Sequence, residues 1–243
     1  MGGTEIVGET VHRATGRWTP AVHALLLYLE TVEFVGAPRL LGFDERGREI
    51  LTFLPSDARS RRDAPKSDEA LEALGRVLRS YHDAVSGFEP PAGAVWRLGR
   101  RPEPGTIICH NDVNPGNVVY RDRLPYGLID WDLAGPAPPL SDLVRACILF
   151  APLLPDDVCH AWGFTEIPDR RRRLARLCRS YGAPPSLDIV AAAEELHQQD
   201  LADLERYGRA GISPYDTFLA TGSDLATKRD LAWLRAHRDE LSD

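Results

Sequence analysis

The pattern of apolar and polar residues divides the chain into a strand-rich part followed by a helical part. Short β-prone runs at residues 9–15, 39–43 and 48–54 are bounded by glycine, proline or charged residues, which is typical of strands and hairpins. One apolar helix is predicted at residues 21–29. Residues 56–66 are charged, contain proline and have no periodicity, so they are predicted to form a hinge.

The chain beyond the hinge has mostly helical periodicity. Apolar residues recur at spacings of three and four, which predicts a helix over residues 68–85 behind an N-cap at Ser67. Further helices are predicted near residues 142–151, 169–181, 187–207, 214–221 and 224–241. The other candidate N-caps are Thr19, Ser141, Ser186, Ser213 and Ser223.

One β-hairpin is predicted inside the helical part. Residues 118–120 and 126–129 are β-prone, and the turn signal between them is charged and contains proline. Asn117 lies just before the first strand and Asp130 just after the second, so antiparallel pairing brings an amide oxygen and a carboxylate side by side. Mg²⁺ prefers oxygen ligands and commonly takes one or two from the protein, together with substrate phosphates. The pair therefore predicts a magnesium site.

A third polar side chain is predicted to face the same space. Asp112 lies five residues before Asn117, and as a carboxylate outside the metal pair it is free to orient or deprotonate an attacking hydroxyl. Single loop Asp and Asn residues are usually turn formers, so the prediction depends on their joint order and spacing. His110 is expected to hydrogen-bond the loop backbone rather than to contact substrate.

Residues 107–143 resemble the aminoglycoside phosphotransferase and choline kinase superfamily. In that family a His-Gly-Asp loop ends in Asn five residues after the Asp, as Asp112 and Asn117 are spaced here, and a second Asp often lies in Ile-Asp-Trp, as Asp130 does. Asp142 resembles the Asp of an Asp-Leu helix start that braces the catalytic loop. Asn111 stands where the family usually has Gly.

The resemblance implies an α+β, protein-kinase-like fold with two lobes. Residues 1–56 would form a small, truncated, β-rich nucleotide-binding lobe, residues 57–66 the hinge, and residues 67–243 a larger, mostly helical catalytic and substrate-binding lobe. ATP, or GTP as the alternative, would lie between the lobes with magnesium. The adenine edge would face the backbone of Phe53, Leu54 and Pro55.

Two family features are missing from the sequence. Kinase-like proteins usually hold the nucleotide phosphates with a strand Lys paired to a helix Glu, but the only lysines are Lys66 and Lys228, neither in the small lobe. Arg13 lies on a suitable strand and is the candidate substitute, although its forked guanidinium is not equivalent to an ammonium. The glycine-rich loop is reduced to Gly2 and Gly3, which predicts weak ATP affinity.

Composition limits the classes of partner and compartment. The net charge of −7 argues against nucleic acid and is compatible with a cationic substrate. The longest apolar stretch, residues 146–154, is too short to cross a membrane. The N-terminus has no secretory pattern, so a cytoplasmic location is expected. The four cysteines have neither disulfide nor zinc spacing.

The leading hypothesis is an ATP- and Mg²⁺-dependent phosphotransferase acting on a small-molecule hydroxyl, with aminoglycosides ranked first. The resemblance suggests aminoglycosides, and acids of the 187–207 helix could attract a polycation, although acids spread around a helix more often form a solvated face. These acids are Glu194, Glu195, Asp200, Asp203 and Glu205. Choline and homoserine are alternative acceptors. The other classes considered are a catalytically dead kinase-like binding protein and a metal hydrolase using His110, Asp112 and Asp130. The oligomeric state is not predicted.

Overall fold

The N-terminal part of the chain is a four-stranded antiparallel sheet covered by one helix. A computed structural model describes residues 4–58 and 62–241. The strands are β1 (Glu5–Val7), β2 (Thr10–Arg13), β3 (Leu40–Phe43) and β4 (Glu49–Thr52), in the spatial order β1-β2-β4-β3, with helix α1 (Thr19–Thr31) between β2 and β3. The predicted strands at residues 9–15, 39–43 and 48–54 are confirmed, and β1 is an addition.

The first hairpin is short. β1 has three residues and joins β2 through a turn in which Gly8 has a φ of 60°, a conformation that glycine adopts without strain. Gly2 and Gly3, to which the reduced glycine loop was assigned, lie outside the described residues. The described part of this lobe is therefore small, as the sequence predicts.

The remaining elements form a mostly helical lobe. Helix α2 (Asp68–Val85) leads to strand β5 (Ile107–Cys109), the hairpin of β6 (Val118–Arg121) and β7 (Leu124–Leu128), and strand β8 (Gly135–Ala137), which pairs with β5. The helices that follow are α3 (Ser141–Phe150), α4 (Asp156–Ala161), α5 (Arg170–Tyr181), α6 (Ile189–Asp203), α7 (Tyr215–Ala220), α8 (Ser223–Ala236) and α9 (Arg238–Leu241). Within residues 4–58 and 62–241, no helix combines the length and apolarity needed to cross a membrane.

Several elements in this lobe differ from the expectations. The β6–β7 turn has only Asp122 and Arg123, with φ angles of 51° and 62°, so Pro125 belongs to a strand rather than to the turn. Helix α6 ends at Asp203 in a π-helical turn instead of continuing regularly. The sequence also missed α4 and the β5–β8 pair, because each has six residues or fewer and shows no clear period.

One of the six predicted serine and threonine caps is confirmed. The Ser67 side chain accepts a hydrogen bond from the Ala70 N–H at the start of α2. The cap of α6 is Asp188 rather than Ser186. Thr19, Ser141 and Ser223 are the first residues of their helices and not the N-caps. Ser213 immediately precedes Pro214, which is the N-cap residue of α7. Good capping residues cluster in these loops, and the backbone path decides which one is used.

The apolar interior is continuous between the sheet part and the helical part. Leu25 and Leu29 of α1 belong to the same buried cluster as Leu74 and Leu78 of α2 and Trp131. The division into lobes at residues 57–66 stays a prediction, and residues 59–61 of the proposed hinge lie outside the described residues. The shared core fixes the small sheet against the segment that carries Asp130.

Helices α2 and α5 approach closely at Gly75. A Cβ added there would overlap the Oγ of Ser180 and lie 2.9 Å from the Tyr181 nitrogen and 3.0 Å from the Leu177 oxygen. The absence of a side chain therefore allows the two backbones to pack.

We expect Gly75→Ala to destabilise the protein. In an open helix this change would be favourable by about 1 kcal/mol, whereas overpacking costs about 1–3 kcal/mol, so the free energy of unfolding should fall. Urea unfolding measures the difference. Gly75→Ala combined with Ser180→Ala should recover part of the loss, because the serine oxygen is then removed. An increase in stability in the single variant would show that the helices separate without cost.

Candidate active site

The β6–β7 hairpin brings Asn117 and Asp130 to the same end of the ribbon. Val118 pairs with Leu128, and the Ile129 N–H donates to the Asn117 carbonyl at 2.9 Å. Asp130 then takes a left-handed conformation, with φ 62° and ψ 65°, and turns the chain into a short 3₁₀-helix that begins at Trp131. The local geometry is therefore the juxtaposition that the sequence pattern predicts.

The Asp112 carboxylate is held by two amides of its own loop. Asn114 Nδ2 donates to one oxygen at 2.9 Å, and Asn117 Nδ2 donates to the other at 2.7 Å. Asn117 Oδ1 has no hydrogen-bond partner within the described residues, so the amide oxygen is available to another ligand. The sequence missed Asn114, because its position in an Asn-Pro-Gly-Asn run is equally typical of a tight turn.

His110 connects the Asp112 loop to the hairpin. Its Nε2 donates to the Ile129 carbonyl at 3.0 Å, and its Nδ1 accepts from the Asp112 N–H at 3.3 Å. Because a backbone N–H can only donate and a carbonyl can only accept, the ring is neutral with its proton on Nε2. The ring is fully buried and packs edge-on against Trp131. It lies in the position expected of a loop-supporting residue.

Asn111 adopts a backbone conformation that explains why it can replace glycine. Its φ is 62°, in the left-handed region that Asn tolerates better than most residues. Its Nδ2 lies 3.1 Å from the carbonyl oxygens of both Leu133 and Gly135. The side chain thus satisfies buried carbonyls that a glycine would leave to other donors.

Asp142 anchors the same loop from the start of α3. Its fully buried carboxylate accepts from the backbone N–H groups of His110 at 2.7 Å and Asn111 at 2.8 Å, and from His82 Nε2 at 3.1 Å. Burial opposes ionisation, but the hydrogen bond and charge of His82, with the His110 contacts, keep the pKa of Asp142 below its ordinary value. His82 in turn contacts the Tyr181 hydroxyl at 2.8 Å. The sequence missed His82, which reads as one more position on the buried face of α2.

Arg13 lies at the centre of an ion-pair network that reaches the hairpin. Its Nε contacts Glu49 at 2.9 Å, its Nη1 contacts Asp130 at 2.9 Å, and its Nη2 contacts Asp132. Burial alone would lower the pKa of Arg13, but these three carboxylates raise it above its ordinary value.

The carboxylate that partners Arg13 comes from a strand. Glu49 on β4 contacts Arg13 through one oxygen and His23 Nε2 of α1 through the other, at 2.6 Å. Burial raises the pKa of Glu49, but the hydrogen bond from His23 and the charge of Arg13 leave it below its ordinary value. Helix α1 therefore supplies the histidine of this contact rather than the glutamate that the usual pairing would place on it. Arg13 and Glu49 are 36 positions apart in the sequence and become neighbours only because β2 pairs with β4.

Asp132 has a second arginine partner. Arg97 Nη1 contacts its carboxylate at 2.8 Å, and the Arg97 guanidinium lies 4.3 Å from the Trp18 ring centroid. Asp132 was not singled out in the sequence as a site residue. It follows the Ile-Asp-Trp motif directly, which was the available signal.

The segment expected to meet the adenine edge has free backbone groups. The Phe53 N–H donates to the Glu9 carbonyl, and the Pro55 carbonyl accepts from the Tyr126 hydroxyl at 2.6 Å. Between them, the N–H and C=O of Leu54 make no hydrogen bond to any described residue. A donor and an acceptor on one residue suit the edge of a purine base.

A cavity of about 240 Å³ lies beside Asp112, on the side of the helices. It is lined by Arg100, by Arg145 of α3, by Asp200 and Asp203 of α6, and by Tyr215 and Phe218 of α7. The carboxylate of Asp112 is thus exposed to a space that a small molecule can enter.

Most of the acids that were expected to attract a polycation are paired. Asp200 contacts Arg145, and Asp203 contacts Arg100. The remaining pairs are Glu194 with Arg235 and Arg238, and Glu205 with Arg209. Among the described residues only Glu195 of this set has no ion-pair partner. The helix therefore does not present the free acidic surface that could attract a polycation.

Comparison with known proteins places the chain among phosphotransferases. Residues 92–176 match the model of the family described as "Phosphotransferase enzyme family". The trifolitoxin immunity protein of Rhizobium leguminosarum bv. trifolii is 39% identical over 180 residues, which are 72% of this chain and 68% of that protein.

Two solved structures share the fold at low identity. A putative aminoglycoside phosphotransferase from Ralstonia eutropha matches with a TM-score of 0.61 and 14% identity, covering 93% of this chain and 86% of that one. The streptomycin–ATP complex of APH(2")-IIa matches with a TM-score of 0.55 and 12% identity, covering 95% and 88%. The α+β, kinase-like fold is confirmed by these likenesses.

We expect Asp142→Asn to destabilise the protein in a pH-dependent way. The change removes a charge that accepts three hydrogen bonds, so the free energy of unfolding should fall by about 2 kcal/mol or more near neutral pH. Because the folded-state pKa is depressed, the stabilisation is complete above the ordinary aspartate pKa and is lost as the pH falls through the folded value. The difference in the free energy of unfolding between the unaltered protein and Asp142→Asn should therefore be constant above about pH 5 and become smaller in more acidic solution.

Urea unfolding between neutral and acidic pH measures this difference. Asp239→Asn in α9 is the control, since Asp239 is exposed and has no ion-pair partner among the described residues. An Asp142 effect that is independent of pH would contradict a role for its charge.

Proposed function

Because the chain belongs to the phosphotransferase enzyme family, we propose that it transfers the γ-phosphoryl group of ATP to a hydroxyl group of a small molecule. The observation that carries the proposal is the placement of Asp112. Its carboxylate is fixed by two amides and lines a cavity, while the adjoining hairpin end supplies further oxygen atoms. GTP is the alternative nucleotide.

The residues at the hairpin end fit a magnesium ion. Asn117 Oδ1 and one oxygen of Asp130 have no protein partner within the described residues, and amide and carboxylate oxygens are the ligands that magnesium prefers. Asp130 is half-exposed, so an ion and its waters can reach it. Bound there, magnesium would neutralise charge on the phosphates of the nucleotide.

Asp112 acts on the acceptor. Its carboxylate accepts the hydrogen bond of the incoming hydroxyl and aligns the hydroxyl oxygen with the γ-phosphorus. It takes the proton as the new O–P bond forms and the bond from the γ-phosphorus to the bridging oxygen breaks, which releases ADP. The amides of Asn114 and Asn117 restrict its rotation, so the orientation exists before the acceptor arrives. His110 holds the loop against the hairpin through its contacts with the Ile129 carbonyl and the Asp112 N–H.

Arg13 takes the place of the strand lysine. Its guanidinium is permanently charged and suits phosphate oxygens, and Glu49 keeps it beside Asp130. His23 keeps Glu49 in position in turn. A catalytically dead protein was considered because the strand lysine, the helix glutamate and a full glycine loop are missing, and the Arg13–Glu49 pair offers a substitute for the first two.

The nucleotide base is proposed to face Leu54. The free N–H and C=O of this residue offer one donor and one acceptor to a purine edge, between Phe53 and Pro55. The Tyr126 hydroxyl ties Pro55 to the β6–β7 hairpin. The β6–β7 hairpin thus connects the proposed base site to the proposed metal-binding end.

The names of the related proteins suggest a protective role. One relative is an immunity protein for trifolitoxin, and a structural neighbour is described in complex with streptomycin and ATP. We propose that this chain inactivates a toxic compound by phosphorylating its hydroxyl group. The reaction consumes ATP and is therefore expected in the cytoplasm.

We expect Asp112→Asn to abolish transfer while nucleotide binding is retained. Loss of a group that stabilises the transition state typically costs about 3 kcal/mol, or about a hundredfold in rate. Asp130→Ala should abolish transfer and also the magnesium-dependent part of the thermal stabilisation by ATP. The measurements are radiolabelled phosphate transfer to a panel of hydroxyl compounds and thermal unfolding with ATP, with and without magnesium.

Asp122→Asn is the matched control, since Asp122 lies at the opposite, exposed end of the same hairpin. It should behave like the unaltered protein. If ATP stabilises the protein equally with and without magnesium and no acceptor is labelled, the chain is a nucleotide-binding protein without transfer activity.

We expect Glu49→Gln to weaken ATP binding by about tenfold, because the neutral amide no longer provides the negative charge that positions the Arg13 guanidinium. The effect should appear in the KM for ATP more than in kcat, and Arg13→Ala should cause a similar loss. Arg48→Gln is the control, because Arg48 pairs with Glu5 and Asp44 elsewhere on the sheet. Equal KM values for Glu49→Gln and Arg48→Gln would rule out a positioning role for Glu49.

A further inference from the structure

The cavity beside Asp112 contains two arginines as well as two additional acids. Arg100 comes from the segment before β5, and Arg145 comes from α3. Arg145 contacts Asp200 at 3.1 Å, and Arg100 contacts Asp203 at 3.2 Å. Apart from Asp112, the charged residues that line the cavity therefore sum to zero.

This balance is unfavourable for a polycation. Because the charges of the two ion pairs offset each other, an acceptor with several ammonium groups would meet only one uncompensated carboxylate, that of Asp112, for its several positive charges. Like charges placed together in a partly desolvated site cost more than they do in water. The cavity therefore selects against an acceptor of high positive charge.

The unused hydrogen-bonding capacity of the cavity consists mainly of N–H donors. Arg100 and Arg145 each use only Nη2 in contacts within residues 4–58 and 62–241, although a guanidinium carries five N–H donors. The acids are more occupied, because Asp203 accepts from Gln199 and Arg100 on its two oxygens. Both oxygens of Asp200 accept from Arg145. A ligand that supplies oxygen acceptors would complete this arrangement.

The cavity is also small and partly apolar. Its volume of about 240 Å³ lies below the range of about 300–1,000 Å³ that is usual for drug-sized ligands. Leu98, Leu204, Tyr215 and Phe218 form its apolar walls. These walls suit a compact body with one ring or a short chain.

We propose that the acceptor is a small hydroxyl compound that carries a carboxylate, which Arg100 and Arg145 bind while Asp112 faces the hydroxyl. The proposal rests on the phosphotransferase function proposed above. Carboxylate is the group that the planar fork of arginine binds best, through charge-assisted hydrogen bonds. It brings one negative charge to a wall where two guanidinium groups have unused donors.

Matched probes that differ only in one group test the charge requirement. One series is 4-(hydroxymethyl)benzoate, its carboxamide and 4-(hydroxymethyl)benzylamine, and the other is 4-hydroxybutyrate, its carboxamide and 4-aminobutanol. Kanamycin serves as the polycation. Dissociation constants are measured on the protein loaded with magnesium and a non-hydrolysable ATP analogue, and phosphate transfer is measured with labelled ATP. We expect the carboxylate of each series to bind about tenfold or more tightly than its amide and amine.

Arginine variants test which residues recognise the carboxylate. Arg100→Gln and Arg145→Gln should each remove the preference for carboxylate over carboxamide. Because Arg145→Gln leaves Asp200 without its partner, Arg145→Gln with Asp200→Asn is made as well, and thermal unfolding checks that each variant is folded. Arg209→Gln is the control, since Arg209 forms an exposed pair with Glu205 outside the cavity. It should keep the full preference.

The outcomes separate this proposal from the one on which it rests. If ATP with magnesium does not stabilise the protein, the phosphotransferase proposal fails first. If the nucleotide binds with magnesium but kanamycin or the amines are preferred, the carboxylate proposal is wrong and the phosphotransferase proposal stands. The absence of any carboxylate-dependent binding, or an unchanged preference in both arginine variants, would overturn it equally.

Discussion

The buried carboxylate of Asp142 is the contact on which the arrangement of the candidate site depends. It accepts the backbone N–H groups of His110 and Asn111, which are consecutive in the loop, and therefore fixes the path of the chain just before Asp112. An ionised group without solvent is costly unless it is fully hydrogen-bonded, and here two backbone donors and His82 provide those bonds. The same requirement explains why α2, α3 and the loop must be assembled together.

His110 connects the loop that Asp142 holds to the β6–β7 hairpin. With the loop held by Asp142, the His110 ring can donate only to the Ile129 carbonyl, next to Asp130. Trp131 packs on the ring and belongs to the core that includes α1 and α2. Asp112 and Asp130 are thus positioned by one connected set of buried polar and aromatic contacts. Such networks tolerate little change, because each unsatisfied member carries its own desolvation cost.

The features that could be predicted from the sequence depend on neighbours in the chain. The β6–β7 hairpin, the Ser67 cap and α2 follow from local periodicity and turn chemistry. Glu49 could not be predicted as the partner of Arg13, because the contact depends on which strand lies beside β2 in the sheet. Short elements such as α4 have too few residues for a period to emerge. The prediction of helix caps failed where several capping residues lie close together, as Ser186 and Asp188 do before α6.

The cavity beside Asp112 is the part of the candidate site that the buried contacts determine least. Asp112, Asn117 and Asp130 are placed by a hairpin and a loop whose geometry the buried contacts prescribe. The cavity walls come from α3, α6 and α7 and from the segment that carries Arg100. The charged residues of these walls hydrogen-bond one another or Gln199, and none of these bonds goes to the backbone of the Asp112 loop. Charge at these positions can therefore vary without disturbing the hydrogen bonds that hold Asp112 and the hairpin end. A structural neighbour described in complex with streptomycin and ATP is consequently compatible with a balanced, donor-rich cavity in this chain, since at 12% identity the two proteins share the fold and not the side chains that line a cavity.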